Sequence, residues 1–326
     1  MTLTAPLLDR AAGVLLGLAC GDALGVPYEF ASAPYDPQQG PQMIGGGLGP
    51  YAPGEWSDDT QMALCIARVA ASEVPIDSPE GLDAIAQGFL DWLREGATDV
   101  GAQTRAVLGA LRHDDGTPGL AQRMTAVAAA LHERTGRTAG NGALMRTAPV
   151  ALAFLDDPER TARAARRIAE LTHADPLAGD ACVLWCEAIR RSVADGTQER
   201  PVALDLLPAD HRAPWQALSD GAWRSGAPSS LAPNGFTVTA LHAALHAADH
   251  GWGTAAEAAG AYRAGIAEAV ALGDDTDTVA AIAGSLLGAW CGAEAIPGEW
   301  AGAVHGWPGV DGAGLRELAA AIVRRA

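Results

Sequence analysis

The sequence predicts an all-α protein folded as one compact multi-helix domain, on three observations. Apolar residues recur at helical spacing through most of the chain, as in Met62, Leu64, Cys65, Ile66 and Val69. Alanine is abundant, while the β-branched and aromatic residues that favour strands are comparatively sparse. No stretch keeps a two-residue alternation between hairpin signals. With 326 residues, 49% of them hydrophobic, a sizeable single core is within reach, so one domain over 1–326 is expected, a split near residue 200 being the alternative.

A first helix is expected over 7–23, stopped by Gly25 and Pro27. Residues 31–56 are rich in Gly and Pro and carry no periodicity, and a loop this long in a compact domain is usually functional. A helix over 60–72 follows Ser57-Asp58-Asp59. Ser78-Pro79 reads as an N-cap with proline in the first turn, ahead of a helix whose Ile85, Phe89, Trp92 and Leu93 share a face. After a break at 95–101 come helices to Leu111, then over 118–134, 143–154, 157–172 and 176–194. Prolines 201, 208, 214, 228 and 233 predict an irregular connection at 195–234 around one short helix near Trp215. Helical pattern returns at 236–249. Thr254 and Glu257 form a possible capping box for a helix to Leu272, before the last helices at 277–293 and 311–325.

A net charge of −17 argues against a surface that coats nucleic acid, which needs clustered Lys and Arg. A small anionic ligand stays compatible with it, because a bound metal reverses the local sign. The five cysteines read as reduced, buried thiols, although Cys182 and Cys186 are four apart on an expected helix. The nine tryptophans are expected mostly in the core. The N-terminal segment has no basic start or small-residue cleavage site, and its apolar run is interrupted at Asp22. A cytoplasmic, membrane-free monomer is the expectation.

Two oxygen-rich clusters carry the chemistry. Ser57-Asp58-Asp59-Thr60 and Gly273-Asp274-Asp275-Thr276-Asp277-Thr278 each run into an apolar helix. If they meet, six oxygen ligands can serve two cations roughly 3.5–4 Å apart. Neither cluster contains His or Cys, which disfavours zinc. Taken singly, each also reads as an N-cap with acidic first-turn residues. Gly140-Asn141-Gly142-Ala143-Leu144-Met145-Arg146 is a glycine-rich turn whose N–H groups could cradle phosphate, but it lacks the Lys-Ser/Thr of a P-loop and by spacing is a plain turn. By themselves Glu29 reads as a solvated loop residue and His173 as a capping or core histidine.

In order along the chain, segments 17–29, 56–60, 98–104, 140–146, 172–175 and 273–284 resemble the motifs of the ADP-ribosylglycohydrolase family, a match that reaches from residue 10 to about 292. The resemblance implies an all-α fold with a binuclear Mg²⁺ or Mn²⁺ centre held by Ser57, Asp58, Asp59, Asp275, Asp277 and Thr278. It makes Glu29 a loop glutamate that gates the cleft or acts in catalysis, and sets Asp99 near the scissile ribose. Thr138, Gly140, Asn141 and Gly142 would lie along a diphosphate, with His173 near the adenosine end. The implied reaction is hydrolysis at ribose C1″ of an ADP-ribosylated acceptor, through an oxocarbenium-like state, releasing ADP-ribose. One departure stands out: where the family has Gly-Gly-Asp, this chain has Gly273-Asp274-Asp275, so that Asp274 either faces solvent or crowds the metals. The alternatives are a non-catalytic ADP-ribose-binding or structural member of the fold and a metal-dependent hydrolase of another nucleotide-like substrate. All six oxygen-bearing positions are present, which favours an enzyme.

Overall fold

The computed structural model describes residues 2–95, 97–114, 116, 118–220 and 228–326. Its first eight helices are α1 (Ala5–Gly25), α2 (Asp58–Ala70), α3 (Pro79–Arg94), α4 (Ala102–Ala110), α5 (Leu120–Thr135), α6 (Ala148–Ala153), α7 (Pro158–Glu170) and α8 (Pro176–Asp195). Then follow α9 (Gln216–Asp220), α10 (Thr237–Thr254), α11 (Ala258–Ala271), α12 (Thr276–Cys291), α13 (Gly298–Ala303) and α14 (Gly312–Val323). The protein is all-α, as its sequence predicts. The two strands among the described residues, β1 (His305–Gly306) and β2 (Val310–Asp311), are too short for any alternation to show.

Helix α1 is the axis. Thr4 caps it by accepting the Leu7 N–H, and every residue from Ala11 to Gly25 is buried. By length and composition it could cross a membrane, yet its apolar stretch lies wholly inside the core. Antiparallel to it runs α12, along a seam of small residues. A Cβ placed on Gly13, Gly17 or Gly21 would fall 2.1, 2.3 or 2.1 Å from the carbonyl oxygens of Gly288, Gly284 and Ala280. Four-residue spacing keeps these glycines on one face, so the two backbones touch. At the end of the seam a Cβ on Gly25 would lie 2.4 Å from the Cα of Asp277. The C-terminal end of α1 is thereby pressed against the N-terminal end of α12.

The cap at Ser78 forms as expected and Asp157 caps α7 in the same way, each accepting an N–H three residues on. The capping box does not. Thr254 ends α10, donating its hydroxyl to the His250 carbonyl at 2.8 Å, and Glu257 precedes α11 without a side-chain cap. A threonine can satisfy itself on the preceding turn as well as cap the next one. The helix expected over 143–154 starts late: Asn141–Ala143 is a 3₁₀ turn, and α6 begins at Ala148 just before Pro149. The connection at 195–234 holds short 3₁₀ turns and α9, anchored by the fully buried Trp215. Its residues 221–227, including Trp223, and Gly96 of the earlier break lie outside the described residues. Trp56, Trp92 and Trp185 are fully buried, and all five cysteines are free thiols.

Candidate active site

Asp22, completely buried near the end of α1, organises the first acidic cluster. Its Oδ1 accepts the N–H and hydroxyl of Ser57 at 2.9 and 2.8 Å, and its Oδ2 accepts the N–H and hydroxyl of Thr60 at 3.0 and 2.6 Å. Ser57 occupies the N-cap position of α2 but makes no side-chain cap; Asp22 takes that task from another helix. Asp58 and Asp59 are therefore not needed for capping. Asp59 Oδ2 meets the hydroxyls of Ser57 (3.2 Å) and Thr278 (3.4 Å), which joins the two clusters across 219 positions.

The second cluster is held by asparagines. Asn234 gives its N–H to Asp274 Oδ2 (2.9 Å) and its Nδ2 to the Gly273 carbonyl (3.1 Å), and accepts the Asp275 N–H (2.9 Å). Asn141 Nδ2 donates to Asp275 Oδ2 at 2.7 Å. The Asp274 side chain is thus turned onto Asn234, which answers whether it crowds the cluster. Its φ of +65° lies in the left-handed region, where glycine is the unstrained choice.

Glu29, Asp275 and Asp277 each bring a carboxylate oxygen within 4.8 Å of the other two. Asp58, Asp59 and Asp277 are pushed well above the usual carboxylate range, first by burial and then by neighbouring carboxylates. Burial followed by the charge of Asp99 lifts Glu29 to about 8. Burial raises Asp99 too, with Asp275 adding to it. Asp59 Oδ1 is buried and meets no hydrogen-bond donor among the described residues. An orphaned carboxylate oxygen amid mutually repelling carboxylates is a set of donors fitted to hard divalent cations, and Mg²⁺ or Mn²⁺ suits its oxygen-only chemistry.

These residues open onto one cavity of about 260 Å³, whose wall includes Glu29, Asp58, Asp99, Asp275, Asp277 and Thr278. The same cavity is lined by Gly140, Asn141, Gly142, Gln103 and His173. A Cβ on Gly142 would lie 3.2 Å from His173 Nε2, so that a larger residue there would crowd the ring. His173 thus sits against the glycine-rich turn itself. Thr138 is buried but does not line the cavity; its hydroxyl meets His132 Nδ1 at 2.5 Å and its carbonyl accepts Gln103 Nε2 at 3.0 Å. Through that carbonyl it holds Gln103, which lines the cavity. A larger cavity of about 910 Å³ between α3, α5 and α7 is lined by none of the candidate site residues.

Sequence reasoning missed Asp22, Asn234 and Gln103. Asp22 lies in the glycine-rich Gly21–Gly25 run that also holds the seam, and Asn234 stands in a Pro-Asn-Gly turn inside the segment read as irregular.

A family model described as ADP-ribosylglycohydrolase matches residues 3–326. An ADP-ribosylarginine hydrolase of Pseudomonas putida is 31% identical over 301 residues, 90% of this chain and 73% of that protein. The ADP-ribosyl-[dinitrogen reductase] glycohydrolase of Rhodospirillum rubrum is 29% identical over 303 residues, covering 90% of this chain and 89% of its own. A solved structure described as an ADP-ribosylglycohydrolase-related protein complex superposes with a TM-score of 0.73 at 32% identity, covering 99% of both chains. With the match extending over almost its whole length, this chain belongs to the ADP-ribosylglycohydrolase family.

Proposed function

We propose that this protein hydrolyses the bond between ribose C1″ of ADP-ribose and an acceptor side chain, with arginine the favoured acceptor, and releases ADP-ribose. The observation that carries the reading is a single cavity lined both by buried carboxylates and by a glycine-rich turn with a histidine against it. The arginine preference is supported by the activity for which the Pseudomonas putida relative is named.

Asp58, Asp59, Asp275 and Asp277, with the hydroxyls of Ser57 and Thr278, are the residues to hold two Mg²⁺ or Mn²⁺ ions. Such ions, when bound, supply Lewis-acid polarisation and orientation of ribose hydroxyls or water. The chain's own residues do the rest. The turn at Gly140–Gly142 and His173 bind the diphosphate and fix the ribose against the acidic end. Burial, the main cause that raises Glu29, persists with cations bound and suits this carboxyl to give a proton and take one back. As the C1″–N bond breaks, its electron pair leaves on nitrogen, which Glu29 is placed to protonate. Asp99 lies on the same wall, facing the developing positive charge of the ribose. Water oxygen then bonds to C1″ as one of its O–H bonds breaks, the proton passing to the Glu29 carboxylate and restoring the acid.

Release of ADP-ribose from arginine-, serine- and nucleic-acid-linked substrates tests this, with Mg²⁺, Mn²⁺ or chelator and with Asp58→Asn and Asp277→Asn. Cation-dependent release from arginine, lost in both variants, is the expected result. ADP-ribose that binds while no substrate is cut would sink the hydrolase reading.

A further inference from the structure

Arg146 is fully buried, and no carboxylate pairs with it among the described residues. A lone guanidinium out of water is costly, and folds keep one only where its surroundings hold it. Here it lies over the Phe89 ring, 4.4 Å from the centroid, with Nη1 3.5 Å from Met62 Sδ. Nε meets no acceptor, and the one short polar bond runs from Nη2 to Thr172 Oγ1 at 2.5 Å.

Thr172 Oγ1 in turn lies 2.8 Å from His173 Nδ1. A guanidinium only donates, so the threonine oxygen accepts from Arg146. Among the described residues the hydroxyl's single hydrogen then has one acceptor within reach, Nδ1, and using it leaves Nδ1 bare with the ring hydrogen on Nε2. The reverse assignment, Nδ1–H donating to Oγ1, would leave the buried threonine hydroxyl hydrogen without an acceptor among the described residues, whereas Nε2–H opens onto the cavity. Nε2 faces the cavity wall between Gly140 and Gly142, where added Cβ atoms would lie 3.5 and 3.2 Å from it, and it has no protein partner among the described residues.

We propose that Arg146 and Thr172 are positioning residues that lock His173 in its Nε2–H form, aiming one N–H donor at a phosphate oxygen of the ligand. The ligand part rests on the ADP-ribose reading above. Burial, together with the Arg146 charge, depresses the His173 pKa to about 3, so the ring stays neutral. A chain of polarised hydrogen bonds passes the influence of the buried cation to the N–H without exposing a charge. An exposed cationic side chain in this cavity would instead collapse onto the carboxylates.

Ring ¹⁵N correlation spectra of the full chain, with His173 assigned by a His173→Gln variant, read the tautomer directly. The free wild type and Thr172→Ser are expected in the Nε2–H form, and the Nε2 signal is expected to move when ADP-ribose is added with Mg²⁺. Thr172→Val is expected to lose the single tautomer and bind ADP-ribose about tenfold more weakly, with Thr172→Ser restoring both. Nδ1–H in the free wild type overturns the relay, whether or not the valine variant folds. ADP-ribose that binds without moving Nε2 overturns the donor role. An Nε2–H ring in a protein that fails to bind ADP-ribose supports the relay and removes the ligand reading instead.

Discussion

Asn234 accepts the backbone N–H of Asp275 at 2.9 Å with its side-chain oxygen, while its own carbonyl accepts Asn141 Nδ2 at 3.2 Å. The same Asn141 nitrogen holds the Asp275 carboxylate. A residue from the loop before α10 thus sets both the backbone and, through Asn141, the side chain of a candidate cation ligand. Asn234→Ala would leave the Asp275 N–H and the Gly273 carbonyl without partners. A loss of about 1–3 kcal/mol in denaturant unfolding is expected, with weaker Mg²⁺ binding by calorimetry. Unchanged values in both would mean that the loop holds itself.

Asp22→Asn keeps the shape of the side chain but turns one acceptor into a donor facing the Thr60 or Ser57 groups. Of its four hydrogen bonds, the one to a backbone N–H on that side becomes a donor–donor contact, and the hydroxyl there must turn round to accept. The change is expected to cost about 2–3 kcal/mol, more than is recovered by removing one charge from the cluster, and to lower cation affinity. Urea unfolding beside a Mg²⁺ titration measures both.

Asp274→Gly removes a left-handed non-glycine residue and also the acceptor for the Asn234 N–H. Relief of about 1 kcal/mol of backbone strain offsets a hydrogen bond of similar size. Stability within about 1 kcal/mol of wild type and unaltered turnover are expected. A changed acceptor preference would show that Asp274 reaches the substrate.

Gly21→Ala sets a methyl 2.1 Å from the Ala280 carbonyl oxygen and forces α1 from α12. Overpacking of this kind costs about 1–3 kcal/mol. Because the seam joins Asp22 to Asp277, cation affinity is expected to fall with stability. A variant that loses stability but binds Mg²⁺ as before would separate the seam from the site.

In the cation-free protein, Glu29 lies near 8 and Asp22 near 6, both above their unfolded values near 4. Groups raised on folding favour the fold most below the unfolded pKa, and that contribution fades as pH climbs through the folded one. Chelated protein is therefore expected to melt at a higher temperature at pH 5.5 than at 8.5. Mg²⁺ is expected to raise the melting temperature more at 8.5, and Asp58→Asn to flatten the difference. Thermal scans at the two pH values decide it.

By itself the sequence determined the all-α class, the cap at Ser78, and two carboxylate clusters at helix starts. Each rests on neighbours within a turn or two, where periodicity and capping act. The same local chemistry left those clusters readable as plain caps, and their grouping into one site came with the family resemblance. Tertiary structure decided which residues make the site possible. Asp22 finds its partners 35 and 38 positions on, and Asn234 finds its own 40 and 41 positions on. It also made Thr254 a helix end. The glycine seam has a four-residue period that marks a helix face, but the period does not name the opposing helix. Only the packed backbones of α1 and α12 bring Asp22 and Asp277 together, because removing the carboxylates from water requires the whole core to close around them.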